Sequence, residues 1–181
     1  MKRIIVFSMT VIMLLLSLNV RSDDDEHKWK RWFSAVASDI RPVSNQLYKQ
    51  ECGSCHMAYQ AGLLPAASWQ KMMSGLEDHF GENAELNAED VKTILDYLQQ
   101  EAADKSSFGR SAAFARNSGE VNLRITEGRY FIRKHDEIPD RFIKHEKIGS
   151  WSNCIACHVS ADKGVYDEHD VRIPGVGRWD D

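Results

Sequence analysis

The chain contains four cysteines, and all four fall in two short motifs, CGSCH at 52–56 and CIACH at 154–158. Each pair is spaced C-x-x-C, and a histidine, His56 or His158, follows each pair at once. Four chemistries use cysteine pairs of this kind. Zinc takes thiolates from two such pairs. A thioredoxin-like dithiol uses one pair on a βαβ scaffold. Structural disulfides use paired cysteines in an oxidising compartment. The fourth is C-x-x-C-H, the attachment signature of a c-type haem. Only the last explains why a histidine follows both pairs. It makes Cys52, Cys55, Cys154 and Cys157 the thioether anchors of two covalent haem c groups. It also makes His56 and His158 the proximal iron ligands.

The N-terminus agrees with that chemistry. The chain opens MKRIIVFSMTVIMLLLSLNVRS, a basic start followed by an apolar run from Ile4 to Val20 and then the polar stretch DDDEHKWKR. This is the layout of a secretory signal peptide, with cleavage expected near Ser22. The run is short for a membrane span, which needs about 20 apolar residues. Haem is attached covalently after export, so a periplasmic location is expected. Residues 1–22 hold Lys2, Arg3 and Arg21 and no acid, so cleavage takes the formal charge from −4 to −7. Nucleic-acid binding, which needs a basic face, is not expected. A redox partner with a basic docking patch is.

The apolar pattern is mostly helical and strand signals are scarce. SWQKMMSGLEDHF sets Trp69, Met72, Met73, Leu76 and Phe80 at three- and four-residue steps, an apolar stripe. NAEDVKTILDYLQQEAADK is the strongest helix. Asn87 caps it, and Val91, Ile94, Leu95 and Leu98 form its buried face. TEGRYFIRKHDEI and SNCIACH also read as helical. DKSSFGRSAAFARNSGEVN, rich in Ser, Gly, Ala and Asn, reads as a linker. The expected organisation is a leader at 1–22, an acidic segment at 23–39, a first haem domain at 40–103, a linker at 104–122 and a second haem domain at 123–181. The fold class is mainly α, with two small haem-binding helical regions.

The order helix, C-x-x-C-H, Gly/Pro loop, ligand-bearing helix and terminal amphipathic helix in the first half resembles a small class I cytochrome c. The whole mature chain resembles a narrower group, the dihaem cytochrome c family of bacterial periplasms. The resemblance rests on YKQECGSCHMAYQAGLLPAASWQKMMSGLEDHFGENAEL. In the second half it rests on RITEGRYFIRKHDEIP through NCIACH to VRIPG. It implies an electron-transfer protein placed between a membrane b-type cytochrome and a small soluble monohaem cytochrome. It also carries the distal ligand of the first haem onto His79, which lies 23 residues after His56 and just before Gly81.

Other residues could take the distal positions. For the first iron these are Met72 and Met73, although a Met at helical spacing more often fills core. For the second iron His135, His145 and His169 compete, 23 and 13 residues before His158 and 11 after it. His135 follows Tyr130 and Phe131 at helical spacing, and the family pattern also places a histidine before an acidic residue and "IP". His145 and His169 sit among charges. His135 is therefore the expected ligand. The turn GLLP at 62–65 is expected to bring the Pro65 carbonyl to His56 Nδ1–H. Trp69 and Trp151 are expected on haem faces or in the core, and His27 in an exposed charged tail.

Two irons with two histidines each have no open position for oxygen, peroxide or substrate. The expected function is electron transfer without catalysis. A dihaem, peroxidase-like oxidoreductase with one open iron is the alternative. A zinc-binding interaction module is the third reading.

Overall fold

The structure, a computed structural model, describes residues 39–107, 109–116 and 121–179. The expected leader, most of the acidic segment and His27 lie outside the described residues. Among the described residues the fold is mainly helical, and Ser38–Asp181 form one compact unit.

Helix α1, Gln46–Cys52, starts at Asn45, whose side chain accepts from the Tyr48 amide. It ends at Gly53, whose N–H returns to the Lys49 carbonyl. Helix α2, Ala66–Met73, begins after Pro65 and stops at Ser74. Helix α3, Ala88–Gln100, is capped by Asn87, whose side-chain oxygen accepts from the Asp90 amide at 3.0 Å. Such a cap contributes about 1 kcal/mol. Helices α2 and α3 pack together, and Ile94 and Leu98 are fully buried. They share a core with Val43, Tyr48, Leu64, Trp69, Met73 and Leu76. The apolar period of α3 marked the buried face correctly. Val91 and Leu95 pack at its edge.

Three elements depart from the sequence expectation. The stripe that seemed to run from Trp69 to Phe80 is broken, because the helix ends at Met73 and a 3-10 turn, Leu76–Asp78, follows. Gly75 is the reason, being poor in a helix interior. SNCIACH holds only a 3-10 turn, Cys154–Ala156. The segment 104–122, expected as a linker, contains helix α4, Gly109–Arg116. It packs against Ala61–Leu63 and buries Ser111 completely. Its small residues, which read as a flexible composition, instead permit close approach: a Cβ at Gly62 would overlap Ser111 Oγ.

The second half is built from helix α5, Arg129–His135, and a short α6, Asp140–Ile143, after Pro139. A two-stranded antiparallel hairpin, β1 Arg172–Ile173 and β2 Gly177–Arg178, lies near its end. The amides of Asp39 and Ile40 bond the Gly164 carbonyl at 2.8 and 3.1 Å. The start of the first half is thus joined to the loop after the second motif.

Gly62→Ala is expected to cost about 1–3 kcal/mol by overpacking and to lower Tm. Adding Ser111→Gly should recover part of the loss. Equal Tm values for wild type and Gly62→Ala would show that α4 does not pack closely on this turn.

Candidate haem-binding sites

At the first motif, α1 delivers Cys52 at its last turn, and the chain then turns through Gly53 to Cys55 and His56. Cys55 and His56 are exposed. His56 Nδ1 lies 2.8 Å from the Met57 carbonyl. Donation from Nδ1–H to that oxygen leaves Nε2 free as a metal ligand. This corrects the expected role of Pro65. The Pro65 carbonyl instead accepts from the Ser68 and Trp69 amides at 3.0 and 3.2 Å. Pro65 precedes the first residue of α2, so its oxygen is the first acceptor of that helix.

His79 faces His56, with ring centres 6.2 Å apart and planes 23° from parallel. A tight turn presents it. The His79 amide donates to the Glu82 carbonyl at 2.7 Å, and the Glu82 amide returns to the His79 carbonyl at 3.3 Å. Phe80 and Gly81 between them have φ of 59° and 101°, as a type I′ turn requires. Gly81 accepts this conformation without cost. Phe80 does not, and a left-handed bulky residue stores about 1–3 kcal/mol of strain. The Arg124 guanidinium lies 4.0 Å over the Phe80 ring and helps to hold it there. Burial, then His56, then Arg124 lower the His79 pKa, favouring the neutral imidazole a metal needs. Met72 and Met73 both pack on the α2–α3 core, the filler role that competed with ligation.

At the second motif, the facing ring is His135. Its centre lies 6.1 Å from that of His158, with planes 78° apart. His135 ends α5, and its Nδ1 lies 2.9 Å from the Phe131 carbonyl one turn earlier. The Phe131 ring stacks on it at 3.9 Å, and Trp151 meets it edge-on at 5.9 Å. Both rings thus pack on the imidazole while the carbonyl fixes its tautomer. Burial, then Lys134, lower the His135 pKa, against the Phe131 carbonyl. Burial first, with His135 and Arg110 in support, pushes His158 down to about 4. The other two candidates lie elsewhere. His145 accepts from the Lys147 amide and sits against the backbone of Gly175. His169 is exposed in a 3-10 turn.

His135 and His158 line a cavity of about 310 Å³ together with Cys154, Cys157, Phe131 and Arg110. Arg110 reaches Asp39 at 3.3 Å and the Tyr130 hydroxyl at 3.3 Å, and its Nε is buried without a protein partner. That leaves one donor for an acidic group in the cavity.

Whether these residues fit a haem can be tested by spacing. An imidazole nitrogen lies about 2.0 Å from a metal it ligates and about 1.15 Å from its own ring centre, so rings on opposite sides of one ion are centred about 6.3 Å apart. The observed 6.2 and 6.1 Å fit this at both sites. Zinc fits poorly. Among the described residues no three or more of His, Cys, Asp and Glu converge on a metal position. Burial raises the Cys52, Cys154 and Cys157 thiols, the first two to about 11. All four cysteines are free of disulfides.

A helical chain with two C-x-x-C-H motifs, each faced by a second imidazole, has the architecture of a multihaem c-type cytochrome. The chain belongs to the dihaem cytochrome c family, whose pattern it matches over residues 48–166. It is 47% identical to the dihaem cytochrome type c of Shewanella baltica OS155, with a TM-score of 0.63, covering 75% of this chain and 98% of that one. It is 42% identical to the dihaem cytochrome c of Rhodobacter sphaeroides, also at a TM-score of 0.63, covering 70% and 100%. No curated protein matches the chain. Its cofactors are two covalently bound haem c groups, held through Cys52 and Cys55 and through Cys154 and Cys157.

Few described apolar residues of the second half are buried, chiefly Phe131, Ile148, Ala161 and Ile173. The cofactor must supply much of its apolar core. A Cys154→Ala, Cys157→Ala double variant should therefore lose hydrogen-exchange protection over 123–179 while α3 keeps its own. Wild-type protection of α5 in that variant would show that the second half folds without its haem.

Proposed function

We propose that this chain is a periplasmic electron carrier in which His56 and His79 ligate one iron and His158 and His135 the other. The observation that carries the reading is the pair of imidazole spacings, each matching two axial ligands on one ion. Haem supplies reversible one-electron chemistry when bound. His56 and His79 would hold one haem and His158 and His135 the other, leaving no ligand position for a small molecule. Met57 and Phe131 carbonyls hold the Nδ1 protons of His56 and His135. The type I′ turn sets His79, and Trp151 and Phe131 pack around His135. With no position open to a small molecule, geometry changes little on electron gain or loss, which suits a carrier rather than an enzyme.

The leader-like N-terminus supports the periplasmic location. The acidic balance expected after cleavage supports partners with basic docking faces. The family resemblance suggests a membrane b-type cytochrome as one partner and a small soluble monohaem cytochrome as the other.

The test is an optical spectrum of the oxidised and reduced protein, with carbon monoxide added. Wild type is expected to be low-spin and to ignore carbon monoxide. His135→Ala should open the second site to it after reduction, and His145→Ala and His169→Ala should not. His79→Ala should open the first site alone. Carbon monoxide binding by wild type would replace the carrier reading with a dihaem oxidoreductase.

The ring planes give a second readout. An imidazole donates π density perpendicular to its ring, so near-parallel rings separate the two iron orbitals they touch and crossed rings do not. Two low-spin ferric resonances are expected by electron paramagnetic resonance. The wider g-spread should belong to the His135–His158 site and vanish in His135→Ala. Two identical resonances would contradict the 23° and 78° geometries.

A further inference from the structure

Gln60 is fully buried, and a core gains nothing from a primary amide unless every polar atom is paired. Here both ends are paired, and both across long sequence separations. Its Nε2–H donates to the Ala161 carbonyl at 2.6 Å, 101 residues on. Its Oε1 accepts from the Tyr166 hydroxyl at 2.6 Å, 106 residues on. The preceding residue behaves in the same way. The Tyr59 hydroxyl donates to the Ser152 carbonyl at 2.6 Å, 93 residues on. Two adjacent residues, three and four positions after His56, thus hold the chain on both sides of the second motif. Ser152 lies two residues before Cys154, and Ala161 three after His158.

The rings complete the pattern. Tyr59 stacks on His56 at 4.9 Å and 29°. Tyr166 meets His158 at 5.4 Å and 62°. An unbroken series of contacts therefore joins one proximal imidazole to the other: His56, Tyr59, the peptide to Gln60, the Gln60 amide, Tyr166, His158.

We propose that Tyr59, Gln60 and Tyr166 are the positioning residues that couple the two haem sites and set the rate of electron exchange between them. The proposal rests on the reading of both sites as six-coordinate carriers. In each exchange one electron leaves the ferrous site, which becomes ferric, and arrives at the ferric site, which becomes ferrous. No proton moves and neither tyrosine is oxidised. The two phenols act as hydrogen-bond donors, Tyr59 to the Ser152 carbonyl and Tyr166 to Gln60 Oε1. The residues act by fixing the separation of the two His rings and by filling the space between them with bonded atoms.

The experiment uses the full dihaem protein. Less than one equivalent of a soluble one-electron donor is delivered by flash photoreduction. Redistribution between the two irons is then followed optically, with the sites distinguished by their paramagnetic resonances. Tyr59→Phe and Tyr166→Phe each remove a single oxygen. Gln60→Leu removes both ties. All three are expected to keep low-spin spectra that ignore carbon monoxide. Gln60→Leu should slow exchange at least about tenfold, since small misplacements of reacting groups have effects of this order. Each Tyr→Phe change should slow it less. Tyr97→Phe is the control, because that hydroxyl accepts from the Ser44 amide and lies outside the series. Wild-type exchange in both Tyr→Phe variants would overturn the proposal even if Gln60→Leu failed to fold. So would equal slowing in Tyr97→Phe. Carbon monoxide binding by wild type would instead overturn the carrier reading, whatever the exchange rates.

Discussion

Two pairs of imidazoles face each other across about 6 Å, and that arrangement organises much of the described fold. One ring of each pair is fixed by sequence, being the residue after the second cysteine. The other must be brought from 23 residues away, forwards at the first site and backwards at the second. The fold solves the two cases differently. His79 is set by a strained turn whose Phe80 is pinned beneath Arg124. His135 is set by a helix end, where a carbonyl one turn back fixes its tautomer. A turn needs few neighbours, so the first site lies near the surface. A helix end needs packing, and the second site is correspondingly a cavity with aromatic walls.

The attachment chemistry was legible in the sequence because it depends on local spacing alone. So was α3, whose cap and apolar period lie within one segment. The places of His79 and His135 opposite the motif histidines were legible only in part. Helical spacing after Tyr130 and Phe131 marked His135, and the resemblance marked His79, while the turn that carries His79 left no helical signature to follow. The linker reading failed for a physical reason. Gly, Ala and Ser signal flexibility when nothing approaches them, and close packing when something does. The Gly62–Ser111 contact decides between these, and it joins residues far apart in the chain. The Pro65 carbonyl failed for a similar reason, since its place at the start of α2 had already committed it.

Tyr59, Gln60 and Tyr166 had no sequence signal of their own. Gln60 sits in AYQAGLLP, a lone polar residue in an apolar run, and that was the one available hint of a buried tie. Its partners lie about a hundred residues away and could not be inferred.

A buried amide is a poor way to stabilise a core. An apolar side chain of the same shape would do as well or better, because the amide gains only what it loses on leaving water. What the amide adds is direction: two short hydrogen bonds fix angle as well as distance, whereas apolar contacts slide. Registration is the use for which buried polar groups are best attested. In this chain two halves, each with its own haem-attachment motif, share one compact unit. Apolar packing on a large flat cofactor would tolerate small shifts of one half against the other. Electron exchange would not, since it depends on the gap between the sites. The Tyr59–Gln60 ties remove that freedom at the point where the two motifs come together.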